Sequence, residues 1–136
     1  MFAYGANTNK ESMSERCPGA VCIGPAWVNG YSFRWRQHAD IELADDDDYA
    51  LGLLWELNNE HLENLDHFEG YPHYYFRQRV IIKTSSKDYV GWAYMMTEQN
   101  HESLPSNGYK KTVFEGYESH GISDEQLIRG LTRLNG

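Results

Sequence analysis

Apolar residues along this chain fall into short alternating runs and longer stretches with helical spacing. Phe2-Ala3-Tyr4 predicts a short buried strand running into a turn at Gly5, and residues 10–17 predict a short helix halted by Pro18-Gly19. Residues 20–27 and 31–36, separated by Val28-Asn29-Gly30, predict a hairpin, because Asn-Gly is the strongest short turn signal. Residues 50–57 predict a buried strand rich in leucine, and residues 58–68 a helix with Leu62, Leu65 and Phe68 on one face. A second hairpin is expected from residues 74–84 and 89–96 around Ser85-Ser86-Lys87-Asp88. Residues 106–118 predict a helix presenting Tyr109, Val113, Phe114 and Tyr117, with Gly121 past its end. The last helix opens with Ser123-x-x-Gln126, a capping-box pattern, and carries Leu127, Ile128, Leu131 and Leu134. Strands with a few helices and no βαβ alternation give the fold class α+β.

Composition narrows the function. At 136 residues, one domain over 1–136 is expected, large enough to bury a core without disulfide or metal staples. Ten tyrosines, five phenylalanines and four tryptophans suit a compact fold with a tyrosine-lined cavity. The net charge of −8, with Lys110-Lys111 the nearest thing to a basic patch, argues against nucleic acid and anionic membrane surfaces as partners. No apolar stretch approaches the roughly 20 residues of a membrane span, and no signal-peptide pattern precedes the first strand. A cytoplasmic location follows as the expectation, with Cys17 and Cys22 as reduced thiols. The six histidines are scattered and no CxxC occurs, so no metal and no cofactor are expected. Asp45-Asp46-Asp47-Asp48 lacks EF-hand spacing and reads as a solvated loop.

Candidate chemistry begins with Glu69 in Leu65-Asp66-His67-Phe68-Glu69-Gly70. At about 100° per residue it falls between Leu62 and Leu65 on the helical wheel, on the apolar face. Glu60 and Glu63 fall elsewhere and read as solvated. Gly70 reads as a C′ glycine, which sets Glu69 at the negative end of the helix dipole. Burial and dipole both raise a carboxyl pKa, as a group that takes and returns a proton near neutrality requires. The competing structural reading is a buried hydrogen bond, or a pair with Arg77 or Arg79. The turn Tyr4-Gly5-Ala6-Asn7 is a candidate anion cradle, since a glycine turn after a strand can aim several backbone N–H groups at one anion. Tyr71, Tyr74, Tyr75, Tyr94 and Tyr109 read as cavity-wall residues.

In order along the chain, Phe2-Ala3-Tyr4-Gly5-Ala6-Asn7, Arg16-Cys17-Pro18, Gly52-Leu53-Leu54-Trp55-Glu56-Leu57, Leu65-Asp66-His67-Phe68-Glu69-Gly70, Tyr94-Met95-Met96 and Pro105-Ser106 followed by Tyr109-Lys110-Lys111 resemble the γ-glutamylcyclotransferase family. The resemblance spans nearly the whole chain and rests on the ordered set. It implies a small mixed β-barrel with peripheral helices and a cavity at the barrel mouth. It further implies cofactor-independent cyclisation of a small-molecule γ-glutamyl substrate to 5-oxoproline with release of an amino acid, a step of glutathione metabolism. By resemblance Glu69 is the general base; Tyr4, Gly5, Ala6 and Asn7 hold the glutamyl end; Tyr75, Tyr94 and Tyr109 line the pocket. The family turn often carries serine or threonine where this chain has Ala6, so a hydroxyl contact is lost while the backbone N–H groups remain. Two alternatives stay open: a non-catalytic small-anion-binding module on the same fold, and a cyclotransferase acting on γ-glutamylamines. Glutathione-specific relatives fit less well because their turn motif differs. A homodimer is left open.

Overall fold

A computed structural model describes residues 1–135. The elements are β1 (Phe2–Ala3), a 3₁₀ turn (Ala6–Thr8), α1 (Lys10–Arg16), β2 (Val21–Asn29), β3 (Tyr31–Arg36), β4 (His38–Leu43) and β5 (Tyr49–Glu56). They continue with α2 (Asn59–Phe68), β6 (Tyr75–Lys83), β7 (Asp88–Met96), α3 (Asn107–Ser119) and α4 (Glu125–Asn135). The fold is α+β, as expected. Five strands form one sheet in the order β1-β5-β2-β6-β7, while β3 and β4 form a separate pair. Every ladder is antiparallel. Parallel geometry is confined to an isolated Arg36–Ser103 bridge. The barrel expected from the resemblance is therefore not closed: β1 and β7 are the two ends of the sheet.

Side chains span that opening. The Tyr4 hydroxyl donates to the carbonyl of Tyr94 in β7, and the Tyr117 hydroxyl from α3 donates to the carbonyl of Tyr4. Gln126 Nε2 donates to Tyr117 Oη at 2.7 Å and to the Leu51 carbonyl at 2.9 Å, so α4 fastens α3 and β5 together. Gln126 is buried and does not reach back to Ser123, which corrects the capping-box reading; Ser123 Oγ accepts only from the Glu125 amide. The demand for partners on the exposed β5 backbone outweighs a helix cap that water can replace.

The predicted hairpin at Asn29-Gly30 is also overturned. Strand β2 pairs with β5 along its length, from Val21↔Glu56 to Asn29↔Tyr49, and β3 pairs with β4 instead. Gly30, at φ 81°, is a corner where the chain leaves one sheet for the other. Its N–H donates to Asp48 O at 2.8 Å and its carbonyl accepts from Ala44 N at 2.9 Å, so the Asp45–Asp48 turn anchors the corner. A positive φ is what Asn-Gly supplies, and it serves a corner as well as a hairpin. Strand β4 had no predicted counterpart, although Ala39, Ile41 and Leu43 alternate with polar residues; Leu43 is exposed, leaving too short an inward pattern. The β6–β7 hairpin forms as expected, paired from Tyr75↔Met96 to Lys83↔Asp88.

The core contains Phe2, Met13, Trp35, Ile41, Leu53, Leu65, Ile82, Val113, Tyr117 and Leu127, all essentially fully buried. Each large side chain of this kind contributes about 1.5–3 kcal/mol on burial. Of the α2 apolar face, Leu65 is buried while Phe68 is 56% exposed. Both cysteines are free: Cys17 is buried with its Sγ 3.7 Å from the His61 carbonyl, and Cys22 is half-buried. No described helix is long and apolar enough to cross a membrane.

Helix α3 approaches the 3₁₀ turn at Gly116, where an added Cβ would lie 2.2 Å from Thr8 Oγ1 and 2.8 Å from Asn9 N. Alanine would gain about 1 kcal/mol in helix propensity, but the obstacle includes backbone. Gly116→Ala is therefore expected to lower stability by a net of about 1–2 kcal/mol, read as a fall in the urea midpoint at unchanged slope. A midpoint at or above wild type would show that the turn yields freely.

Candidate active site

The turn after β1 is built by unmet backbone groups. A single 3₁₀ turn satisfies little of its own backbone. Here Thr8 N donates to Gly5 O at 3.0 Å, Thr8 Oγ1 to the same oxygen at 2.7 Å, and Trp55 Nε1 to Asn7 O at 3.0 Å. Among the described residues no protein acceptor takes the N–H of Gly5 or Asn7. The Tyr109 hydroxyl accepts from Ala39 N at 3.1 Å. Gly5 is required by close approach: a Cβ there would lie 2.8 Å from Ala39 Cβ.

Helix α2 ends in a Schellman motif. Tyr71 N donates to Asp66 O at 2.9 Å and Gly70 N to His67 O at 3.3 Å, with Gly70 at φ 67°, so Glu69 is the C-cap. Its carboxylate faces the turn, where Oε1 accepts from Asn7 Nδ2 at 3.1 Å. Of the structural readings offered for Glu69, the hydrogen bond is the one that forms. Arg77 lies 3.5 Å from Asp66 and over the Tyr71 ring, and Arg79 is exposed. The cation beside Glu69 is Arg16, whose Nη1 donates to Asn7 Oδ1 at 2.7 Å and whose guanidinium lies 3.5 Å from the Phe68 ring centroid.

These groups surround one cavity of about 260 Å³. Its lining includes all the predicted site residues: Tyr4, Gly5, Ala6, Asn7, Glu69, Tyr75, Tyr94 and Tyr109. Tyr74 lines it too, as the cavity-wall reading expected, whereas Tyr71, given the same reading, is absent from the lining; Arg16, His38, Ala39 and Phe68 line it without having been assigned to the site from sequence. Arg16 was signalled by its place in the Arg16-Cys17-Pro18 segment, whereas His38 sits on the unpredicted β4 and carried no signal.

Burial raises the Glu69 carboxyl above its ordinary value, and the Asn7 hydrogen bond and Arg16 charge oppose that rise. The tyrosine walls stay protonated. Burial pushes Tyr4 and Tyr75 well up, Tyr109 up to about 12, and Tyr94 up with help from its 2.7 Å bond to Asp66 Oδ1. Burial lowers His38, which meets Tyr74 Oη at 2.8 Å. Three of the hydroxyls donate into the protein: Tyr4 to Tyr94 O, Tyr75 to Ala39 O at 2.7 Å, and Tyr94 to Asp66. Tyr109 accepts from Ala39 N and, among the described residues, its own proton is given to no protein acceptor. The arrangement offers one ionisable base, one nearby guanidinium, free amides and one uncommitted hydroxyl donor in a small aromatic chamber. Among the described residues no cluster of His, Cys, Asp and Glu could hold a metal ion.

Comparison with known proteins decides the family. The family model for gamma-glutamyl cyclotransferase, AIG2-like, matches residues 1–111. The chain belongs to this family. It is 27% identical over 135 residues to human gamma-glutamylcyclotransferase, spanning 89% of this chain and 71% of that protein. A putative gamma-glutamylcyclotransferase of Methanocaldococcus jannaschii is 33% identical over 63 residues, covering 46% of this chain and 52% of the relative. A solved gamma-glutamyl cyclotransferase superposes with a TM-score of 0.81 at 25% identity, over 91% of this chain and 80% of that one. The cyclotransferase-family fold thus places Glu69 and the turn together, and these matches support an enzyme of gamma-glutamylcyclotransferase type.

A carboxyl whose pKa is raised on folding destabilises the native state above that pKa, and the loss is recovered as pH falls through it. Glu69→Gln is therefore expected to raise stability in urea unfolding at pH 7, with the gain shrinking toward pH 4. A variant less stable than wild type at pH 7 would show that the ionised carboxylate is held favourably after all.

Proposed function

We propose that this protein is a γ-glutamylcyclotransferase that converts a small γ-glutamyl compound to 5-oxoproline and a free amino acid or amine. The observation that carries the reading is Glu69: a carboxylate raised by burial, on the wall of a small cavity, opposite the free amides of the turn. A cavity of about 260 Å³ lies just below the usual ligand-pocket range of roughly 300–1,000 Å³. That size suits a folded dipeptide-like substrate.

The chemistry balances without an enzymic nucleophile. Glu69 takes a proton from the α-ammonium of the substrate; the freed amine attacks the γ-carbonyl carbon and a C–N bond closes the five-membered ring. The carbonyl oxygen gains negative charge, met by the Tyr109 hydroxyl, whose proton has no protein acceptor. The bond to the original nitrogen then breaks as Glu69 returns its proton to that nitrogen; the ring nitrogen sheds its second proton to Glu69, which passes it on to the released amine, so that the product leaves as an ammonium and Glu69 is ionised again. The turn amides of Gly5 and Asn7 bind the α-carboxylate, and the tyrosine walls fold the chain back on itself. Intramolecular reactions so oriented reach effective molarities of about 10⁵ M or more. Solution in a cytoplasmic compartment, with no nucleic acid, no membrane and no bound cofactor, is part of the same reading.

The test is 5-oxoproline release from a panel of γ-glutamyl amino acids, the γ-glutamyl-lysine isopeptide and glutathione. Turnover of a γ-glutamyl amino acid or the isopeptide is expected, and Glu69→Gln should lower kcat/KM about 10²–10⁴-fold. Because the base acts ionised, kcat/KM should fall as pH drops through a midpoint above that of an ordinary glutamate. Release of no product from any member by folded protein would leave a small-anion-binding module; full activity of Glu69→Gln would remove Glu69 as the base.

A further inference from the structure

Arg16 ends α1 and lines the cavity, although nothing in the cyclisation calls for a guanidinium at that position. Its Nη1 lies 2.7 Å from the side-chain oxygen of Asn7, and the Asn7 amide nitrogen lies 3.1 Å from Glu69 Oε1. A guanidinium has donors and no acceptor. The Asn7 atom that faces it must therefore be the oxygen, and the NH₂ is turned toward Glu69 by default. The flipped amide would oppose two donors at Arg16 and two acceptors at Glu69. Backbone contacts do not set this choice, because Trp55 holds only the Asn7 carbonyl. Arg16 is itself held by the Phe68 ring, whose centroid lies 3.5 Å from its guanidinium carbon.

We propose that Arg16 is a positioning residue that selects the orientation of the Asn7 amide and thereby keeps a hydrogen-bond donor on Glu69. The inference rests on Glu69 being the base. The other titratable groups lining the cavity are Tyr4 after β1, Tyr74 just before β6, Tyr75 from β6, Tyr94 from β7, Tyr109 from α3, His38 from β4 and the Met1 α-amine, which burial lowers to about 6; none of them is mainly charged near neutrality. Arg16 is thus the charged neighbour through which the ionised base is held. Direct attraction between the two charges acts in the same direction, so a test must separate it from the route through Asn7.

That test is a double-mutant cycle read by ¹³C titration of the Glu69 side-chain carboxyl in the full chain without substrate, which stands independently of whether 5-oxoproline is the product. Arg16→Met and Asn7→Ala are each expected to raise the midpoint by about one pH unit. The double variant should rise by clearly less than the sum, since both act through one amide. The acid limb of kcat/KM should move with the midpoint in Arg16→Met, and Arg16→Lys, which keeps a donor for Asn7 Oδ1, should restore much of the shift. An additive double variant would mean that Arg16 acts on Glu69 directly, and an unmoved midpoint in Arg16→Met would mean that it does not act at all; either overturns the proposal. If Arg16→Met loses the wild-type amide spectrum, Arg16→Leu, which likewise removes every donor and the charge, carries the same reading against Arg16→Lys.

Discussion

Much of this molecule follows from one demand: buried backbone groups need partners where the sheet stops supplying them. Strand β1 pairs for only two residues, Phe2 and Ala3, before the chain turns away from β5. From Tyr4 onward its carbonyls are met by side chains, from distant parts of the sequence by Tyr117 at Tyr4 and Trp55 at Asn7, and from within the turn by Thr8 at Gly5. Among the described residues, the amides of Gly5 and Asn7 are left facing no protein acceptor. The same act that ends the strand makes the binding turn, and helix α3 can sit against it only because position 116 has no side chain.

Electrostatically the cavity is a neutral aromatic room with one anion and one cation in it. Burial keeps the tyrosines protonated, so their hydroxyls act as fixed dipoles. In such surroundings a single hydrogen bond to a carboxylate matters more than it would in water, because little solvent competes for it. The Asn7–Glu69 contact bridges 62 positions of sequence, from the turn after β1 to the end of α2. It couples the proposed base to the element proposed to hold the substrate.

What was legible in the sequence was local. Glu69 declared itself through helix periodicity and Gly70, whose positive φ and Schellman bonds are short-range matters. The β6–β7 hairpin likewise needed only its own two runs and turn. What escaped depended on partners far along the chain. Asn29-Gly30 has the same local chemistry at a corner as at a hairpin tip, and only the long ladder with β5 decides between them. Gln126 fits a helix cap by pattern, yet it is drawn inward by the backbone of β5 and the hydroxyl of Tyr117. Phe68 obeyed the wheel but faces the cavity, since a cavity wall and a core face look alike in hydropathy.

The bond from Trp55 to the turn has a spectroscopic side. The chain has four tryptophans, and the indole N–H of this one ends on the peptide that carries Asn7. A ring N–H resonance is sensitive to the length of its own hydrogen bond and is resolved from the amide envelope in a nitrogen–proton spectrum. Trp55 is therefore a built-in reporter behind the turn: any molecule that shifts the turn by a fraction of an ångström will move one peak, without an added chromophore and without turnover.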